Sequence, residues 1–315
     1  MTPLIELVNL KKYFKAGSGY LHAVDGVNLK IAEGRTMGIV GESGCGKSTL
    51  GRLSLRLLEA SAGEVLYRGE NILRLGTRRI RELRREMQII FQDPFSSLDP
   101  RMAVFDIISE PLIEYKVCRD RALLEEKVVG LMETVGLAEN CMNAYPHEMD
   151  GGRRQRVGIA RALALEPKFI VCDEPVSALD VSIQAQILNL IMDLQETMGM
   201  AYMFITHDLS VVRHISSEIA VMYLGQCVET APTEELFQNP LHPYTRALMS
   251  AIPEPRLGKN RGKVIRGEVS DPIDPPPGCR FLPRCDFSAA ACCGDIQLKE
   301  LDGGHFVACR MYQTT

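Results

Sequence analysis

The sequence predicts an α/β fold, a mostly parallel sheet with helices on both faces, and three observations carry that prediction. A strand-like stretch at 36–40, TMGIV, feeds a glycine-rich turn at 41–48, and a helical pattern opens at Lys47. The arrangement recurs where the apolar run 169–172 precedes a helical face of Ile183, Ile187, Leu190, Ile191 and Leu194, followed by a short strand at 202–206. From about Asp93 to Arg156 the strand signal disappears. Strands that alternate with helices lie parallel, because each crossover helix returns the chain to the same end of the sheet.

The remaining elements follow in order. Residues 4–8 and 24–31 read as strands, and 123–135 as a helix inside a helical insertion spanning about 93–156. After Tyr244 the composition shifts. Pro253, Pro255, Pro272, Pro275, Pro276 and Pro277, with few apolar runs between them, predict a linker and a small loop-rich module, which divides the chain into 1–252 and 253–315.

Composition narrows the function. The 315 residues carry a net charge of −4 with 24% charged residues, so no global basic field favours nucleic acid. No apolar run approaches the roughly 18 residues that cross a bilayer, and the first nine residues lack the pattern of an export signal. These features predict a cytosolic chain, free to dock on a membrane protein. Ten cysteines in such a chain stay reduced, but five of them (Cys279, Cys285, Cys292, Cys293 and Cys309) fall after residue 278.

Two motifs carry the chemistry. GESGCGKS at 41–48 fits G-x-x-x-x-G-K-[ST] directly after a strand. Gly41, Ser43, Gly44 and Gly46 let successive N–H groups curl around phosphates, Lys47 brings a positive charge to the β and γ phosphates, Ser48 offers a hydroxyl to Mg²⁺, and the helix through Thr49 points its positive end at the anion. Downstream, FIVCDE at 169–174 is a buried strand ending in two acids. Asp173 is placed to hold Mg²⁺ through water and Glu174 to polarise an attacking water.

With both motifs in this order, residues 4–250 resemble the ATPase subunit of an ATP-binding cassette transporter. The resemblance implies a P-loop NTPase core of the cassette type, with antiparallel N-terminal strands, plus a small Cys-rich C-terminal extension. It also implies ATP and Mg²⁺ as ligands and roles for further residues: Gln92, in FQDP, senses the γ phosphate and contributes to the Mg²⁺ site; Asp180, in SALDVS, crosses a dimer seam; His207, in ITHDL, clamps the γ phosphate. An aromatic ring near residue 13 is expected on adenine, and Phe14 fits the family spacing slightly better than Tyr13.

One departure from the family stands out. The signature loop of these proteins reads Leu-Ser-Gly-Gly-Gln and completes the partner's ATP site across a head-to-tail dimer. Here it reads Met149-Asp150-Gly151-Gly152-Arg153. The glycines keep the anion nest, but Asp150 puts a carboxylate where the family presents a hydroxyl. Arg153 compensates if it pairs with Asp150 or reaches the phosphates; alternatively, Asp150 simply caps the helix that begins at Gly151. On the first reading two copies of this chain would make two impaired sites, so a second, different ATPase subunit is expected opposite it.

In the tail, Cys279-x5-Cys285-x6-Cys292-x16-Cys309 suits a tetrathiolate staple for zinc or an iron-sulfur cluster. The spacing, with PPPGC before the first cysteine and GG-x3-AC before the last, resembles the tail of dipeptide and oligopeptide permease ATPases. That resemblance implies a [4Fe-4S] cluster rather than zinc, with Cys293 an extra thiol and His305 a substitute ligand. It further implies peptide as cargo, two transmembrane permease subunits as partners, an indirect link to an extracytoplasmic solute-binding protein, and a peripheral position on the cytoplasmic face of the membrane. Relatives of the same architecture carry nickel and other small solutes. Two other classes compete, a soluble cassette ATPase outside transport and a non-catalytic nucleotide-binding regulatory subunit. The single phosphate loop, without a heptad run, disfavours the first, and Glu174 disfavours the second.

Overall fold

The computed structural model describes residues 3–118, 120–251, 271–294 and 296–313. In chain order the strands and helices are β1 (Ile5–Ala16), β2 (Gly19–Ile31), β3 (Thr36–Val40), α1 (Lys47–Ser54), β4 (Ala62–Tyr67), β5 (Glu70–Asn71), α2 (Thr77–Leu83), β6 (Met87–Ile90), α3 (Val104–Glu114), α4 (Arg121–Thr134), α5 (Gly151–Leu163), β7 (Phe169–Asp173), α6 (Val181–Met198), β8 (Ala201–Ile205), α7 (Leu209–Ile215), β9 (Glu218–Tyr223), β10 (Gln226–Pro232), α8 (Thr233–Gln238), α9 (Pro243–Ser250), β11 (Lys299–Asp302) and β12 (His305–Val307). They form two compact units, one drawn from Met1–Arg74 and Phe204–Thr315, the other from Leu75–Met203.

In the first unit, β2, β1, β4 and β5 make an antiparallel sheet in that order. The strand expected at 4–8 continues to Ala16, and β2 begins at Gly19 rather than Val24. This twisted ribbon escapes a hydrophobic reading because Lys11, Lys12 and Lys15 interrupt it; backbone pairing from Lys11↔Asp25 to Ala16↔Gly19 sustains it instead. In the same unit β3 pairs parallel with β9, and β10, β12 and β11 extend the sheet antiparallel. The predicted sheet is therefore mixed. β3 is buried at all five positions, which is why its bounds read directly from five residues between charged and glycine-rich neighbours.

The C-terminal extension is less loop-like than its composition suggests. Its β11–β12 hairpin joins the sheet through Glu229↔Val307 and Thr230↔Phe306. Glu229, fully buried, organises the junction: its carboxylate accepts the N–H groups of Leu241 (2.7 Å) and His242 (2.9 Å) and lies 2.7 Å from His305 Nε2. His242 is also buried; its Nδ1 accepts the Tyr244 N–H, and burial lowers its pKa to about 3, so the ring stays neutral. The predicted boundary at 252/253 lies outside the described residues.

In the second unit, β6 and β7 pair parallel. No strand occurs among the described residues of 93–156, where α3 and α4 pack with α5 as the predicted insertion. Ile187, Ile191 and Leu194 of α6 are buried, and Gly199 ends that helix at φ 64°, a left-handed turn that glycine adopts without strain.

Candidate functional site

In the first unit the phosphate loop joins β3 to α1. Gly41 (φ 152°) and Gly46 (φ 101°) admit no side chain: a Cβ would sit 2.2 Å from Met222 O at the first and 2.0 Å from Ala23 O at the second. Glycine is thus required by the backbone packed behind the loop as well as by the curl itself. Lys47 is buried, and its Nζ donates to the carbonyls of Gly41 (2.8 Å) and Glu42 (3.0 Å), which folds the ammonium into the loop. Gly46 caps α1 without a side-chain bond. Ser43 and Gly44 are exposed at the loop's crest, and Ser48 and Thr49 open the helix half-buried.

The two aromatic candidates beside the loop are distinguished by their contacts. Tyr13 stacks on His22 (centroids 4.0 Å apart) and donates its hydroxyl to Asp25 at 2.5 Å; burial, then this bond, raises its pKa far above the phenol range. Phe14 is half-buried with Lys12 Nζ 5.0 Å from its ring centroid, and none of the aromatic contacts among the described residues involves it. His207 is exposed on the turn after β8, where Asp208 caps α7 by accepting the Ser210 N–H at 2.7 Å. Tyr244 and Arg284, neither of them expected at the loop, also reach it: Tyr244 Oη accepts the Glu42 N–H at 2.9 Å and Arg284 grips the Glu42 carboxylate. No local motif marks these contacts, which join residues more than 200 positions apart.

In the second unit β7 delivers Asp173, buried, and then Glu174 at φ 48°. A left-handed backbone is unusual for glutamate and occurs where surrounding structure imposes it. Gln92 Nε2 donates to Glu174 Oε2 at 3.1 Å, which brings together two residues 82 positions apart. Asp180 is exposed at the start of α6.

The signature loop resolves one alternative. Asp150 is the N-cap of α5: Oδ1 accepts the Arg153 N–H at 2.8 Å, and Oδ2 lies 3.4 Å from Arg153 Nε. Capping and pairing therefore occur together, on a carboxylate that remains 62% exposed. Gly151 and Gly152 are confined by packing, since a Cβ would meet Leu179 Cδ2 at 3.0 Å and Ile183 Cγ2 at 2.6 Å. Behind them the Arg154 guanidinium lies 3.6 Å over the ring centroid of Phe95, which is itself 65% exposed.

All ten cysteines of the chain are free thiols, and five of them, Cys279, Cys285, Cys292, Cys293 and Cys309, lie in the extension. Burial pushes the Cys279 thiol up to about 11, with further upward contributions from the neighbouring Cys285, Cys292 and Cys309. Cys285 and Cys309 are raised for the same reasons, burial first. Gly278 lets the segments approach, and Cys279 N–H donates to Cys292 O at 2.9 Å. Among the described residues no three His, Cys, Asp or Glu side chains stand close enough to hold one metal ion. Cys293 is exposed. His305 has Nε2 on Glu229 and Nδ1 3.5 Å from Glu235, so both nitrogens already face carboxylates rather than the thiols.

A phosphate loop on an α/β core, an acid pair ending a buried strand and a Gly-Gly helix start define a cassette ATPase, and the comparisons agree. The ABC transporter family model matches residues 24–177, and the model for the oligopeptide/dipeptide transporter C-terminal region matches 228–292. The oligopeptide transport ATP-binding protein OppF of Escherichia coli (strain K12) is 49% identical over 97% of this chain and 95% of its own length; AppF of Bacillus subtilis (strain 168) is 47% identical over 98% and 97%. Among solved structures, the ATP-binding cassette MJ0796, a dimer in a post-hydrolysis state with ADP and Pi, superposes with a TM-score of 0.67 at 30% identity, over 73% of this chain and 98% of that one. The chain belongs to the ABC transporter ATPases, in the group that carries the oligopeptide/dipeptide C-terminal region. No helix among the described residues is long and apolar enough to cross a membrane.

Proposed function

We propose that this chain hydrolyses ATP to drive peptide import through a membrane permease, on whose cytoplasmic face it sits as one of two different ATPase subunits. The observation that carries the cargo is the oligopeptide/dipeptide C-terminal region, together with relatives named for oligopeptide transport across nearly the full chain. Two transmembrane subunits are its direct partners, and a solute-binding protein acts through them.

The phosphate loop, through Gly41, Ser43, Gly44, Gly46, Lys47, Ser48 and Thr49, binds the phosphates. Ser48, Gln92 and Asp173 serve the Mg²⁺, Glu174 polarises water, and His207 contacts the γ phosphate. Phe14 stacks on adenine; the engagement of Tyr13 with His22 and Asp25 supports that choice. Asp150, Gly151, Gly152, Arg153 and Asp180 face the opposite subunit. Purified alone, the chain is expected to hydrolyse ATP at less than about a tenth of the rate of the assembly containing the second ATPase. Equal rates, measured by phosphate release, would remove the case for an unlike partner.

Cys279, Cys285, Cys292 and Cys309 are the residues that would hold a [4Fe-4S] cluster, which would staple the extension. What supports the reading is the cysteine spacing and the approach of two of the segments, where the Cys279 N–H donates to Cys292 O at 2.9 Å. The expected result is a brown protein, purified without oxygen, that loses its visible absorbance in a Cys285→Ser variant. A colourless preparation with one stoichiometric zinc would favour the other metal.

A further inference from the structure

Among the described residues the extension hydrogen-bonds to the phosphate loop at Glu42, and the chemistry of that contact is unusual for an anion site. Arg284 Nη1 donates to Glu42 Oε2 at 2.8 Å and Nη2 to Oε1 at 3.1 Å, a two-bond fork, while Nη1 also donates to Tyr223 Oη at 3.3 Å. The arginine side chain is 6% exposed and the glutamate 26%. The fork with Glu42 is the largest influence raising the Arg284 pKa, so the guanidinium stays charged. Glu42 is therefore held at three places: its N–H by Tyr244 Oη, its carboxylate by Arg284 and its carbonyl by Lys47.

Only the last of these contacts lies within the loop. Tyr223, Tyr244 and Phe281 pack on one another (centroids 4.7 to 5.4 Å apart) and form the wall from which the hydroxyl and the guanidinium project. Arg284 adjoins Cys285, and Arg280 adjoins Cys279 and pairs with Asp25, the residue that holds Tyr13. The folding of the cysteine-bearing segment thus decides where both guanidinium groups lie.

A carboxylate in a loop that must receive polyphosphate opposes its ligand, because like charges in a partly buried site are weakly screened. It also competes for the ammonium of Lys47 if it is free to swing. A bidentate guanidinium removes both effects, neutralising the charge and fixing the side chain away from the lysine.

We propose that Arg284 is a positioning residue for the phosphate loop: by neutralising and orienting Glu42, it lets the C-terminal extension set the affinity of this subunit for nucleotide. The inference rests on the assignment of residues 41–48 as the nucleotide site. It gives the extension a function at the ATPase centre, distinct from any contact with permease or cargo.

The test is a double-mutant cycle in the full-length chain, read as the Kd for a non-hydrolysable ATP analogue with Mg²⁺ by calorimetry. Arg284→Ala should weaken binding about 10-fold or more, whereas Glu42→Gln should change it less than about threefold, because no uncompensated charge remains. The Glu42→Gln/Arg284→Ala double variant should then bind like Glu42→Gln alone. An arginine that only supports folding would impose the same loss in both backgrounds, and that result would overturn the proposal. If Arg284→Ala does not fold, Arg284→Lys, which keeps the charge without the fork, replaces it in the same cycle and should give a smaller loss that again vanishes with Glu42→Gln. Lack of analogue binding by the unaltered chain would refute the nucleotide site itself. Tight binding left unchanged by Arg284→Ala or Arg284→Lys would refute only the role of Arg284.

Discussion

Glu174→Gln is expected to reduce ATP turnover by the full transporter by about 10²- to 10⁴-fold, the range attributable to a positioned general base. The amide keeps the shape and still accepts the Gln92 N–H, now 3.1 Å from the carboxylate, so the surroundings of β7 should persist while the base is lost. Nucleotide binding should be retained, because the proposed phosphate contacts reside in the loop at 41–48. Single-turnover phosphate release and analogue binding, measured on the same preparation, separate the two. A variant that loses only about half its turnover would mean that two equivalent sites share the work, and the proposed asymmetry would fail.

Asp150→Ser should have the opposite sign. Under the proposed pairing with an unlike ATPase subunit, the turnover remaining in the Glu174→Gln background belongs to the other ATP site, the one this chain's signature loop would serve. A carboxylate about 4 Å from a phosphate oxygen costs on the order of 4 kcal/mol at an effective dielectric of 20, and the lost charge-assisted hydrogen bond adds about 1.5 to 3 kcal/mol. An unscreened carboxylate would thus slow that site about a thousandfold or more.

The observed geometry reduces the figure. Asp150 is largely exposed, spends one oxygen on the Arg153 N–H and holds the other 3.4 Å from the Arg153 guanidinium. Exposure and pairing both weaken the repulsion, so a gain of about 10- to 100-fold is expected. Serine caps a helix as well as aspartate does, which leaves α5 intact and confines the effect to the ATP site. No gain in phosphate release, with a partner whose own acids are sound, would show that the aspartate is only a cap.

Particular residues explain what could be read before folding. The phosphate loop, β3 and the acid pair were evident because each is local: five consecutive buried residues, a fixed glycine spacing, a buried strand ending in charge. The full length of the β1–β2 ribbon is not legible in the sequence, because its far half is interrupted by Lys11, Lys12 and Lys15 and held by backbone pairing. The β11–β12 hairpin is equally hidden from the sequence, since all four residues of β11 are exposed and carry no buried face. Its place is decided by β10, through Glu229 and His305, 76 positions apart.

By itself the sequence determined the class of machine, the residues proposed to face phosphate and metal, and the departure at Asp150, because catalytic motifs are short and their chemistry is carried by residue type and spacing. Only the tertiary structure decided how those groups are held. It turned Asp150 into a cap paired with Arg153, set Gln92 on Glu174 and closed Arg284 on Glu42 across 242 positions. Such contacts are chosen by packing and charge in three dimensions, where a buried guanidinium needs acceptors, and nothing in the local pattern of either residue says which partner it will find.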